Sequence, residues 1–274
     1  MISSTHLLVL GFAIFATFAC AGATKVVSGE PAVVFSGGMS STEVRFQNSE
    51  DTAFEAEVFM RLFQLSSATA MPVTEAQRWN KLAVLPHQTV VEQVEFRLPG
   101  VRAETMFEMR WSDGTGAALG STVIKAFPTN LLAQFNDICG EHPLGIYDPG
   151  LRLKPLLALA KVAFIDVEQA GLQNFQGRLL IVFANEATKP SEDFRMQMSK
   201  VTGRGVRLIW LSSKANDVNV EKLAVLNDQR GARWAVVHPN SIAGLNTNVA
   251  SQLRLLSIAR LVTSTNRYEL NTTP

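Results

Sequence analysis

The residues of this chain that could do chemistry follow short apolar runs in its second half. Asp148 comes after Leu144–Tyr147, Asn185 and Glu186 after 178–183, Ser212 after 206–211, and His238 after 233–237. Ligands of an open α/β sheet bind in the crevice outside its carboxyl ends, so groups that follow strands converge there. Asp148, Asn185, Glu186, Ser212 and His238 are therefore the candidate ligand-binding residues, and Glu168, Ser213, Lys214 and Asn240 complete the polar set. Ser212, His238 and Glu186 would spell a hydrolytic triad. No Gly-x-Ser-x-Gly elbow surrounds Ser212, however, and no residue is assigned as catalytic. Asp148 precedes Pro149 and Gly150, a setting in which aspartate forms a turn and caps the helix that follows.

Other chemistries find little footing. His87, His142 and His238 lie far apart, and Cys139 with His142 makes only a two-ligand fragment, so no metal is expected. Gly203-Arg204-Gly205 precedes a strand instead of joining strand to helix, which makes it an ordinary turn. No Walker or dinucleotide fingerprint appears elsewhere, and no cofactor is expected. Of the Trp residues, Trp111, Trp210 and Trp234 fall in strands and read as core. The 274 residues carry 47% hydrophobic and 18% charged side chains and a net charge of +1. That composition supports a packed core and offers no basic footprint for nucleic acid.

The elements that must position the candidates alternate between strand and helix. Leu144–Tyr147, 163–167, 178–183, 206–211 and 233–237 are nearly continuous in apolar residues, as parallel strands covered on both faces are. Between the first two, Leu153, Leu156, Leu157 and Ala160 recur at helical spacing, with Lys154 and Lys161 off the stripe. Ser191 caps the next clear helix, with Glu192 and Asp193 in its first turn and Lys200 near its end. Asp217 is expected to cap another, burying Val220, Leu223 and Ala224, and a last helix runs over about 248–262. The expectation is an α/β three-layer domain at 144–265 with a mostly parallel five-stranded sheet, and a polar tail at 266–274.

Upstream the period is two. Thr42, Val44 and Phe46 alternate with charged or polar neighbours, as do Phe54 to Leu62, Val94 to Leu98 and Thr105 to Trp111. With 32–36, 81–85 and 122–127 these make seven strands over 24–128, which fit an all-β immunoglobulin-like sandwich. Phe59 and Phe63 fall on the polar face of their strand, covered by a loop or seating the second domain. Between the two domains, 129–143 carries Leu131, Leu132, Phe135 and Ile138 at helical spacing and reads as a packed joint helix.

Residues 1–23 differ in kind. The uncharged run 7–19 suits a signal peptide and is too short to span a membrane, and Ala21-Gly22-Ala23 predicts cleavage after Ala23. Cys20 raises a lipid anchor as an alternative, although Thr17 and Phe18 depart from a lipobox. Once residues 1–23 are removed, Cys139 is the one cysteine left, and it reads as a small buried hydrophobe.

The run from Leu144 through 163–187 to 201–213 resembles the class I glutamine amidotransferase-like layer. An immunoglobulin-like domain followed by that layer resembles exported bacterial proteins. The resemblance implies a Cys on a tight elbow after the central strand. Ala184-Asn185-Glu186-Ala187 stands there instead, so it implies a layer without its nucleophile. The expected function is a non-catalytic binding or scaffold protein of the cell envelope, recognising a protein, peptide or glycan. It would be periplasmic or extracellular, or an outer-membrane lipoprotein if Cys20 is lipidated, with no transmembrane span in the mature chain. A hydrolase or amidase acting at the strand-end crevice is the alternative, and an accessory subunit of an envelope complex is a further one.

Overall fold

The structure, a computed structural model, describes residues 24–27, 29–184, 191–212, 224–227, 233–237 and 243–264. Residues 1–23, with Cys20 and the cleavage site at Ala23, lie outside the described residues, as do the tail and the expected cap Asp217.

The first half is built of nine strands: β1 (Lys25–Val27), β2 (Ala32–Phe35), β3 (Met39–Gln47), β4 (Phe54–Leu65), β5 (Ala70–Pro72), β6 (Gln77–Val84), β7 (Thr89–Arg97), β8 (Thr105–Asp113) and β9 (Ala118–Phe127). One sheet is antiparallel in the order β1-β3-β7, which leaves β7 as an edge strand. The other runs β2-β9-β8-β4-β5, with β6 also paired to β4. In it β2 lies parallel to β9, from Ala32 opposite Ile124 to Phe35 opposite Phe127. The alternation in β3, β7 and β8 sends Val44, Phe46, Val94, Phe96, Phe107, Met109 and Trp111 into one core between the sheets. Phe46, Trp79 and Trp111 meet there with centroids 5.5 to 5.8 Å apart, and Trp111 donates from Nε1 to Thr122 Oγ1 at 3.1 Å. Buried aromatic rings in edge and offset contact add to area burial. Phe63 is covered by cations: the guanidiniums of Arg61 and Arg110 lie 5.3 and 4.1 Å from its ring centroid.

A 3-10 turn (Leu131–Ala133) and helix α1 (Gln134–Cys139) follow, ending at Gly140 with φ 62°. Leu131, Leu132, Phe135 and Cys139 are buried in the same core as the second half of the chain, and Phe127 at the end of β9 joins them.

The second half holds β10 (Leu144–Tyr147), α2 (Lys154–Leu159), β11 (Phe164–Asp166), α3 (Val167–Ala170), β12 (Leu179–Ala184), α4 (Glu192–Thr202), β13 (Arg207–Ser212), β14 (Ala224–Asn227), β15 (Arg233–Val237) and α5 (Val249–Thr263). Its sheet has the order β11-β10-β12-β13-β15-β14. Alternate residues of each strand supply two cores. Leu144, Ile146, Leu179, Ile181, Ile209 and Leu211 face α1 and α5, while Leu180, Val182 and Leu208 pack with Met198 and Val201 of α4. Burial on both faces is why these strands read as unbroken apolar runs. Ser191 Oγ accepts from Phe194 N at 3.1 Å to cap α4, and Asn248 Oδ1 caps α5 through Ser251 N at 3.2 Å.

The expected fold class is corrected in both halves. The described residues form three sheets, and the larger sheet of the first half is mixed, where an immunoglobulin arrangement has two antiparallel ones. The expected five-stranded layer has six strands, the sixth being β14, antiparallel to β15 from Ala224 opposite Val236 to Asn227 opposite Arg233. Ala224 had been expected on a helix. A short apolar run has no decisive period, and pairing with β15 settles it as strand.

Candidate functional site

The order of strands fixes where a site can form. The chain enters the sheet at β10, crosses to β11 on one side, and returns to β12 on the other. β10 thus leads to a neighbour on one side and β12, through β13, to a neighbour on the other, so the carboxyl ends of β10 and β12 flank the topological switch point of the sheet. Asp148 is the first residue of the β10 loop.

Asp148 is fully buried. Its Oδ2 accepts from the N–H groups of Leu153 at 2.7 Å and Lys154 at 3.0 Å, capping α2, whose N-cap residue Leu153 has no side chain able to do so. Its own N–H donates to Glu168 Oε1 at 2.7 Å. The Lys154 ammonium, one turn on, donates to the same Glu168 oxygen at 2.6 Å and to Asp166 Oδ2 at 2.8 Å. Asp166 Oδ1 accepts from Glu168 N at 3.1 Å and caps α3. Two carboxylates, Asp166 at the end of β11 and Glu168 in α3, thus hold one ammonium, with Asp148 beside them on the same Glu168 oxygen through its N–H. The remaining oxygen, Asp148 Oδ1, is enclosed and has no hydrogen-bond partner among the described residues. A buried acceptor left unmade costs about 1–3 kcal/mol.

Aromatic and cationic groups flank this cluster. Tyr147 packs on Phe194 with centroids 4.3 Å apart, and the Arg152 guanidinium lies 5.6 Å from the Phe183 ring centroid near the end of β12. Leu151 holds the turn between Asp148 and α2 at φ 50°, and its N–H donates to Asp148 O at 3.1 Å.

The electrostatics tie up the titratable groups. Desolvation lowers the Lys154 pKa, but the hydrogen bonds and charges of Asp166 and Glu168 outweigh it and hold the ammonium above its ordinary value. Burial, with the Glu168 charge, raises the Tyr147 phenol against the smaller pull of Lys154. Lys154 is thus held charged and Tyr147 neutral at physiological pH, and neither is poised as a base. Burial pushes the Cys139 thiol up to about 11, against the nearby Arg178 charge, so it is no thiolate nucleophile at neutral pH. Among the described residues no group of three or more His, Cys, Asp or Glu side chains could hold a metal ion.

Of the residues singled out from sequence, the structure describes Asp148 in full and the backbone of Ser212, which ends β13 opposite Ala184. Asn185, Glu186 and His238 lie outside the described residues, as do Ser213, Lys214 and Asn240. Glu168 joins Asp148 directly. Sequence reasoning missed Lys154, set aside as off the helix stripe, and Asp166, taken as part of a strand. A signal existed for both. A lysine in the first turn of a helix opposes the macrodipole and calls for acidic partners, and Asp166-Val167-Glu168 offers two carboxylates at a strand end.

No family model matches the chain, and no curated protein matches it. Solved structures similar to parts of it include the Pseudomonas fluorescens alkylpurine DNA glycosylase AlkC bound to DNA containing an abasic site analog. That match has 11% identity, 38% of this chain, 30% of the other and a TM-score of 0.29. A β-glucosidase from Listeria innocua in complex with glucose matches at 14% identity over 39% of this chain and 16% of the other, with a TM-score of 0.29. The sporulation control protein Spo0M from Bacillus subtilis matches at 15% identity over 43% and 56%, also with a TM-score of 0.29. The chain spans less than a third of the glycosylase and less than a fifth of the glucosidase. Likenesses at this level define no class of protein. The resemblance to exported proteins with an immunoglobulin-like domain and an amidotransferase-like layer is likewise corrected: no family model supports it, and the sheets depart from both parts.

Proposed function

We propose that the chain is an exported protein that binds a protein, peptide or glycan at the carboxyl ends of β10 and β12, without covalent catalysis. Asp148 carries this reading. One carboxylate oxygen is spent on capping α2, and the other is an enclosed acceptor at the switch point with no donor of its own. That oxygen is closed to solvent, so a ligand N–H or O–H reaches it only as the turn between β10 and α2 shifts. The contact then recovers the free energy of an unmade hydrogen bond, and peptides and glycans carry many such donors. The neighbouring Lys154 and Tyr147 are held in fixed protonation states, which suits recognition better than proton transfer. Export rests on the uncharged run 7–19 and the small residues before Thr24. Among the described residues no helix is long and apolar enough to cross a membrane.

The test is binding to peptide and oligosaccharide arrays followed by calorimetry on the hits. Asp148→Asn keeps the shape and one cap acceptor but changes the crevice oxygen, and it is expected to weaken binding by about 1–3 kcal/mol. Equal affinity for wild type and variant would remove Asp148 from the site. Turnover of an ester or amide with a covalent adduct on Ser212 would replace this reading with the hydrolase.

A further inference from the structure

The opposite, amino-terminal edge of the same sheet holds a cavity that ligand binding at the crevice does not use. It measures about 540 Å³, and its lining includes His142, Arg178, Arg204, Gly177 and Gly205, with no carboxylate among the described residues. Its position follows from register. Arg207 N donates to Arg178 O at 2.9 Å, so β12 and β13 start side by side, with Arg178 just before one and Arg204 in the turn before the other. Backbone carbonyls hold both guanidiniums in place. Arg178 Nη2 donates to Thr263 O at 2.9 Å, and Arg204 donates to Phe175 O at 3.3 Å and Gln173 O at 3.5 Å. Neither forms an ion pair among the described residues. A guanidinium has five N–H donors, so each keeps donors and a full charge to offer. Gly177 also lines the space, its Cα packed so tightly against the Pro143 carbonyl and the Phe175 ring that no side chain fits there.

We propose that this cavity binds the phosphate or sulfate group of an anionic ligand. Two carbonyl-anchored arginines line one concave space without carboxylates among the described residues, and guanidinium forks bind tetrahedral oxyanions through paired N–H donors. Gly203-Arg204-Gly205 thus acts through its arginine side chain and not as a phosphate-wrapping loop.

The experiment titrates the full chain with inorganic phosphate and follows backbone amide shifts, with calorimetry for affinity. Shifts at His142, Gly177 and Gly205 are expected to move together and saturate. Arg204→Gln is expected to weaken binding about tenfold or more, because a charge-assisted hydrogen bond is lost. Arg204→Lys should recover part of that loss, and Lys25→Gln, a surface charge change far along the sequence, none of the effect. Two further arms separate the sources of the group: pyrophosphate in competition, and sedimentation with phosphatidylglycerol vesicles. Binding of either kind that depends on Arg204 supports the site and names the source as soluble or as a lipid headgroup. No saturation in the wild type, shifts gathered elsewhere, or equal affinity in Arg204→Gln and Lys25→Gln would overturn it. The shift map is read on the wild type, so it decides the matter even if a variant folds poorly.

Discussion

Lys154 sits in the first turn of α2, where the helix dipole disfavours a cation, and it is nearly buried. Its partners Asp166 and Glu168 make the position tenable, and the cluster welds the β10 loop to the start of α3. The folded pKa lies above the ordinary 10.5, so the stability this lysine contributes is fully present below that value. It is lost as pH rises through the folded value. Wild type should therefore lose stability above about pH 10.5 more steeply than Lys154→Met, as read by urea unfolding across alkaline pH. Parallel curves for the two proteins would mean the ammonium adds nothing. At this scale the sequence was half legible. Asp148 announced itself by Pro149 and Gly150. Asp166 and Lys154 did not, because their meeting depends on β11 lying beside β10, with Ile146 opposite Asp166.

Among the elements, the start of β12 is the most tightly constrained. Gly177 precedes it, wedged between Phe175 and the Pro143 carbonyl, and the 2.2 Å approach to a backbone atom leaves no flexible neighbour to yield. Gly177→Ala is expected to cost about 1–3 kcal/mol through overpacking, measured as a fall in the urea midpoint. Gly171→Ala makes the useful comparison, since nothing crowds its Cβ and only its φ of 73° is strained. If Gly177→Ala proves the milder of the two, the close approach does not constrain the fold. Long alternating elements such as β3, β7 and β8 could be placed from period alone, and α4 from its cap and charges. Strands of three or four residues, β1, β5 and β14, carry no usable period. The parallel partnership of β2 with β9 joins segments almost a hundred residues apart, and no local pattern encodes it.

At the scale of the molecule, the segment between the halves belongs to one core. Leu131, Leu132 and Phe135 pack beneath the sheet of the second half, Phe127 reaches the same cluster from β9, and Phe35 of β2 leans against it. Among the described residues the α-helices all follow residue 130, whereas the sequence places Trp79 and Trp111 before it and Trp210 and Trp234 after it. The helical signal therefore reports on the second half, and a tryptophan signal confined to the first needs Trp210 and Trp234 replaced by Phe. In a background carrying Trp210→Phe and Trp234→Phe, Phe135→Ala should destabilise the helical transition by about 3–5 kcal/mol and the near-ultraviolet tryptophan transition by less. A larger shift in the tryptophan signal would assign the joint to the first half.

The edge position of β7 bears on how this protein behaves in a crowded solution. Nine residues of extended chain, Thr89–Arg97, have no strand on their outer side among the described residues. Such a row of free amides and carbonyls is a template on which another extended chain can grow, and natural proteins blunt it with charge and proline. Here Glu95 and Arg97 project into water, Glu92 is half-exposed, and Pro86 and Pro99 stand beyond the two ends. Colloidal stability thus hangs on a few side chains remote from either proposed binding site. Substitutions there could spoil a preparation while leaving every proposed binding residue in place.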